Sequence, residues 1–207
     1  MIRAAGLLAL LWLLAGCASA LADLPIPPQL LVVRVAEMPG FAPASVQSSS
    51  TASAFEWAHG APGTWTEAQE EASLLESLGF QEGVREYLLA KRREGRGAHR
   101  EAVSEAAVLP TASAAESALR QSFANSLRAF EARGLAQFAD RAIPGALGLG
   151  NFSAGRSGGD GNVFFATGRC FFVVGDAVHD ARTRAQENRA PLAGALALYR
   201  RARHLCA

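Results

Sequence analysis

The stretch that most limits how this 207-residue chain can fold lies near its end, where Val163-Phe164-Phe165-Ala166 and Cys170-Phe171-Phe172-Val173-Val174 flank Gly168-Arg169. Two β-branched and aromatic runs around a short step that begins with glycine spell a tight hairpin. Successive side chains on a strand point to opposite faces, yet here both faces are apolar. Water can wet neither side, so the hairpin belongs at the centre of a core.

Upstream, Leu30 to Val35 is apolar and β-branched and reads as a first strand, stopped by Met38-Pro39-Gly40-Phe41. Ala42 to Ser50 reads as a Ser-rich loop. Ser53-Ala54-Phe55-Glu56 and Thr64-Trp65-Thr66-Glu67 have capping-box spacing, in which a hydroxyl and a glutamate three residues on satisfy free N–H groups at a helix start. The first of these helices is short and broken at Gly60 to Gly63. The second places Ala68, Ala72, Leu75 and Leu78 on one face and stops at Gly79, with Phe80 closing over the last turn. Val84 to Lys91 and Arg100 to Leu109 read as strands joined by the polar loop Arg92 to His99. Ser113-Ala114-Ala115-Glu116 opens a long helix whose buried stripe is Leu119, Phe123, Leu127 and Phe130, ended by Gly134. Leu135 to Phe152, interrupted by Pro144 and several glycines, fits no single element, and Gly155 to Gly161 reads as a flexible loop. A last helix from about Thr183 to His204 carries Leu192, Ala195, Leu196 and Tyr199 on one face, with Pro191 kinking or starting it.

The order β-α-α-β-β-α-β-β-α alternates hairpins with helices. It predicts an α+β fold, a mostly antiparallel sheet with helices packed on one face. Thr-Ala-Ser-Ala-x-Glu occurs at Thr51 and again at Thr111, each time at a helix start. Two independent capping boxes account for this more simply than a duplicated half-domain.

The opposite end of the chain speaks of address. Arg3 precedes an apolar run from Ala4 to Leu14, too short to cross a hydrocarbon layer that takes ~20 helical residues. That is the layout of a secretory signal. Leu14-Ala15-Gly16-Cys17 resembles the bacterial lipobox, in which a peptidase cuts before the cysteine and its thiol carries a diacylglycerol. The resemblance implies a signal peptide over 1–16 and a lipid on Cys17. Cleavage after Ala20-Leu21-Ala22 is the alternative and would release a secreted protein. Two or more acyl chains hold a protein firmly, at ~0.8 kcal/mol per buried CH₂. Residues 17–29, with Pro25, Pro27 and Pro28, read as anchor and stiff polyproline-like spacer. Residues 30–207 read as a single globular domain on the extracytoplasmic face of a cell membrane.

A hydrophobic content of 50% excludes a disordered chain. Removing Arg3 with the leader leaves 19 basic against 19 acidic residues, so no global field recruits nucleic acid. Lys91 is the only lysine, an arginine bias that fits a GC-rich genome. With Cys17 lipidated or removed, Cys170 and Cys206 remain. An even pair in an oxidising compartment favours a disulfide, which would close about 36 residues and contribute ~3–4 kcal/mol in the chain-entropy model.

Candidates for chemistry are sparse. Gly155-Arg156-Ser157-Gly158-Gly159 matches G-x-S-x-G, but a nucleophile elbow needs a helix straight after the serine, and Gly-Gly-Asp-Gly-Asn cannot start one. His179-Asp180 is a tempting dyad on a loop. His59, His99, His179 and His204 lack metal-ligand spacing, and Asp160-Gly161-Asn162 lacks the glutamate of a calcium loop, so no metal and no cofactor is expected. Arg92, Arg93 and Arg96 concentrate basic charge at a hairpin tip suited to anionic headgroups or an anionic wall polymer, diluted by Glu94 and Glu101. Phe41, Phe55, Trp57 and Trp65 cluster in sequence. Partly exposed, they would line a cleft for an apolar or sugar ligand; otherwise they are core.

The element order and the Val163-Phe164-Phe165-Ala166-x-Gly168-Arg169 hairpin are similar to those of uncharacterised envelope lipoproteins of high-GC Gram-positive bacteria, a resemblance that implies no particular activity. The leading expectation is a lipid-anchored, non-enzymatic domain that binds a ligand or an envelope protein, lipid or polymer. The alternatives are a secreted serine hydrolase using Ser157 with His179, and a structural adaptor.

Overall fold

The computed structural model describes residues 26–38, 40–44, 49–60, 65–90, 101–131, 136–138, 141–152, 159–178 and 184–207. In chain order, β1 (Phe41–Pro43) and β2 (Ser49–Thr51) precede α1 (Ala54–His59) and α2 (Trp65–Ser77). The long pair β3 (Glu82–Ala90) and β4 (Glu101–Val108) leads to α3 (Ala112–Glu131). Four strands, β5 (Ala136–Phe138), β6 (Leu147–Phe152), β7 (Gly159–Thr167) and β8 (Cys170–Val178), come before α4 (Arg184–Leu205). The strands form one sheet in the order β1-β3-β4-β8-β7-β6-β5, antiparallel throughout. Both β1 and β2 pair with the outer edge of β3, opposite 88–90 and 83–85 respectively. The α+β class and the antiparallel sheet expected from the sequence are what the chain forms.

The apolar hairpin sits where its two apolar faces require. β8 is the middle strand of the sheet, between β4 and β7, and Phe165, Phe171 and Phe172 are fully buried. Gly168 takes φ +50° at the turn, and the C-terminus packs so closely there that a Cβ would collide with the Cys206 carbonyl.

Each face of the sheet has its own core. Even-numbered residues of β3, β4 and β8, among them Val84, Leu88, Ala106, Phe172 and Val174, face α4 and the chain before β1. Ala107, Phe171 and, from β7, Phe164 face α1, α2 and α3. The expected one-face arrangement therefore describes α1–α3, while α4 covers the opposite face. A hairpin apolar on both sides needs cover on both.

The expected strand at Leu30–Val35 is not a strand. Pro28–Leu30 and Val35–Glu37 are 3₁₀ turns with bends between them. Leu31, Val32 and Val33 are buried consecutively instead of alternately. Side chains, not a ladder, satisfy this backbone: the Arg201 guanidinium donates to the carbonyls of Leu30 (3.0 Å) and Val32 (2.6 Å), and Ser104 Oγ accepts from the Val33 N–H at 2.9 Å. Ile26, within the segment read as spacer, is buried against the same core.

Other local readings hold with small shifts. Ser53 caps α1, accepting the Glu56 N–H at 3.2 Å. Leu75 accepts the Phe80 N–H at 2.9 Å behind Gly79 at φ +78°, closing α2 as its sequence implied. α3 starts two residues earlier than expected, because Thr111 and not Ser113 accepts the first free N–H, that of Ala114, at 3.1 Å. Of the residues read as loop, 42 and 43 belong to β1 and 49 and 50 to β2, and the segment that fitted no single element contains β5 and β6. Pro191 lies inside α4 and does not begin it. Cys170 and Cys206 form the expected disulfide, both fully buried, with Cα atoms 5.7 Å apart.

Candidate functional site

The candidate binding surface lies at the corner between α1 and α2. Phe55 and His59 lie one helical turn apart on α1, so their rings stack at 3.9 Å, with His59 Nδ1 2.9 Å from the Phe55 carbonyl. Trp65, the first residue of α2, meets His59 edge-on at 4.3 Å and Phe55 at 5.9 Å. Trp65 is 69% exposed and Phe55 41%. Among the described residues, Leu89 is the other large apolar side chain left exposed, and it stands on β3, outside this trio of rings.

From Trp65 a shallow groove of about 410 Å³ follows α2 past Thr66, Gln69, Glu70 and Ser73. Those positions recur at the spacing of one helix face. The groove thus offers a ring platform beside two hydroxyls, one amide and one carboxylate, which is binding chemistry. Among the described residues no group of three His, Cys, Asp or Glu could hold a metal ion.

Beneath the corner lies a buried charged cluster that fixes it to the sheet. Arg85 of β3 and Glu105 of β4 are cross-strand partners and form an ion pair with almost no access to water. Arg85 Nη2 also donates to the Trp57 carbonyl at 2.7 Å, its guanidinium carbon lies 5.3 Å from the centre of the Trp57 ring, and it packs against Gly60 so closely that a Cβ there would collide. The Tyr87 hydroxyl donates to the Gly60 carbonyl at 2.8 Å. Burial raises the Tyr87 pKa, against the neighbouring Arg85 charge that lowers it.

Glu71 enters the cluster from α2, accepting a hydrogen bond from Ser122 Oγ of α3 at 2.7 Å. Burial pushes its carboxyl up to about 7, the Ser122 bond lowers it and the Glu105 charge raises it further.

The sequence candidates separate cleanly. Trp65 is exposed on the groove. Trp57 is core, laid over Gly83 and 6.2 Å from Phe80, and Phe41 is fully buried under the strap before β1. Neither reaches a surface ligand, because the sheet and its cover close over both. Cys17, Arg92, Arg93, Arg96, Ser157 and His179 lie outside the described residues. Sequence reasoning missed Glu71, Arg85, Glu105 and Ser122, which look like ordinary solvated residues until β3 and β4 are in register.

Fold and surface together define an α+β antiparallel-sheet protein with an aromatic groove outside its core. No protein-family model matches the chain, and no curated protein does. Among solved structures it is similar to the extracellular domain of PknH from Mycobacterium tuberculosis, at a TM-score of 0.48 and 10% identity, over 84% of this chain and 98% of that one. Function does not transfer across a likeness of that size.

Proposed function

We propose that this chain is an exported, non-enzymatic binding protein, held at the outer face of a membrane by lipid on Cys17, that takes its ligand on the groove of α2. The observation that carries the reading is Trp65. Burying a tryptophan is among the largest single gains open to a fold, yet this one stands in water beside Phe55 and His59, bordered by hydrogen-bonding groups. A flat apolar face with polar edges, as on a sugar ring or an amphipathic headgroup, matches that lining.

The anchor reading rests on the leader and the lipobox-like Leu14-Ala15-Gly16-Cys17. The disulfide supports an oxidising compartment. Among the described residues no helix is long and apolar enough to cross a membrane. Eight residues lie between Cys17 and Ile26, and nine steps of about 3.1 Å give a reach of about 28 Å in the extended form that prolines favour. The strap that begins at Ile26 lies on one face of the sheet and α2 on the other.

Two substitutions test the halves of the proposal separately. Cys17→Ala is expected to abolish lipid labelling and move the protein from the membrane fraction to the soluble one. Retention at the membrane without label would end the anchor reading. Trp65→Ala is expected to remove whatever small molecule or glycan copurifies with wild type in native mass spectrometry, while the fold persists because Trp65 is not in either core. An unchanged copurified species would place the ligand elsewhere, and a protein retained in its place would favour an adaptor role.

A further inference from the structure

We propose that α2, and with it the groove on its outer side, is a proton-responsive element, seated firmly when Glu71 is protonated and loosened when Glu71 ionises. As regulation of a ligand surface this rests on the reading of the groove given above. As a property of α2 it does not.

Among the described residues the geometry leaves one cation for two acids. The Arg85 guanidinium is engaged with Glu105 and with the Trp57 carbonyl. Glu71, half-buried on α2, accepts a hydrogen bond from the Ser122 hydroxyl and feels the negative charge of Glu105. α1 contributes the Trp57 carbonyl and, at its end, the titratable His59, whose Nδ1 faces the Phe55 carbonyl. From α3, Arg120 is exposed and turned towards Glu116, 3.5 Å away. On its own helix Glu71 is flanked by the acids Glu67 and Glu70. A second negative charge placed here is poorly compensated, and even a half-buried charge without its own partner is costly.

The anchor that must resist this charge is thin. Only Ala72 and Leu75 are fully buried among the thirteen residues of α2. Helices with few buried apolar side chains open at lower cost than the core they lie on. Opening α2 frees Glu71 to water, where its carboxyl returns to the ordinary range near 4.5. Its pKa is raised in the closed state, to about 7, so the stability it lends is complete below about pH 4.5 and lost as pH rises towards 7. Acid seats the helix; neutrality releases it.

The test is hydrogen exchange of the exported protein without ligand, read between pH 5 and 8 and corrected for the intrinsic pH dependence of exchange. In wild type, protection of α2 amides relative to those of β7 and β8 is expected to fall severalfold across this range. Glu71→Gln keeps a hydrogen-bonding partner for Ser122 and carries no charge, so its α2 protection should be flat with pH. Ser122→Ala removes the bond that lowers the Glu71 pKa, so the fall should move to higher pH. A wild-type profile without the fall overturns the proposal. So does a fall that persists unchanged in Glu71→Gln, which would assign the proton to His59 or beyond. No ligand is present, so failure of the groove as a binding surface leaves these outcomes readable.

Discussion

The two faces of the sheet are sealed by similar apolar side chains but held by opposite electrostatic strategies. On the face covered by the N-terminal strap and α4, polar groups tie distant backbone together: Arg201 reaches Leu30, Val32 and Glu37, Ser104 holds Val33, and the disulfide locks the C-terminus to β8. On the face covered by α1, α2 and α3, polar groups place charge inside, with Arg85, Glu105 and Glu71 under a corner that carries the exposed rings. On the first face the charges are matched one to one, Arg201 with Glu37, and a covalent bond holds the C-terminus. On the second face the half-buried Glu71 adds a second acid beside the Arg85–Glu105 pair. The first face is tied by matched charges and a covalent bond, and the second carries the acid through which we propose that α2 responds to pH.

The sharpest way to break the contrast is to remove the cation of the second face. Arg85→Met leaves Glu105 buried beside Glu71 with no counter-charge, and the expected cost in urea unfolding is ~3–5 kcal/mol. Adding Glu105→Leu removes the stranded charge as well and should recover most of that loss. If Arg85→Met alone is neutral, the charges of this face do not govern its stability.

Somewhat smaller is the loss of the covalent tie on the first face. Cys206→Ser should lower stability by ~3–4 kcal/mol in the chain-entropy model, the value for a loop closed over a sequence separation of 36 residues. The loss should be uniform between pH 5 and 8, unlike the pH-dependent loosening of α2. A strongly pH-dependent cost would blur the distinction between the faces.

The smallest effect sharpens the picture of the second face at its helix starts. Thr51 to Glu56 and Thr111 to Glu116 share Thr-Ala-Ser-Ala-x-Glu, yet Ser53 caps α1 and Thr111 caps α3. In the first copy, Thr51 is paired in β2 with Gly83 and its hydroxyl bonds to Glu56 at 2.6 Å, which pushes the helix start two residues on. Ser53→Ala and Thr111→Ala should each cost ~1 kcal/mol. Ser113→Ala should cost nearly nothing, as read by thermal unfolding.

That pair of caps also measures what the sequence can convey. The spacing of hydroxyls and glutamates located both helix starts, but the residue that caps depended on whether a strand already held the preceding threonine. The strap failed for a related reason. Leu30 to Val35 has the composition of a strand, and propensity cannot know that Arg201, 169 positions away from Val32, will take its carbonyls. The buried cluster was hidden by register. A hairpin drawn symmetrically between 84–91 and 100–109 pairs Arg85 with Ala106, whereas the sheet pairs it with Glu105. One residue of slip decides whether two opposite charges stand directly across from each other.

By itself the sequence determined what depends on neighbours along the chain. It carried the central hairpin with its glycine turn, the start and stop of α2, and the pairing of Cys170 with Cys206. Tertiary structure alone decided what depends on neighbours across space. It put α4 opposite the other helices, turned the strap into 3₁₀ bends, buried Trp57 while leaving Trp65 in water, and gathered Glu71, Ser122, Arg85 and Glu105 from four elements. The physical reason is range: capping, turn and periodicity energies act over three or four residues, whereas the cost of a buried charge is set by whichever segments the sheet brings together.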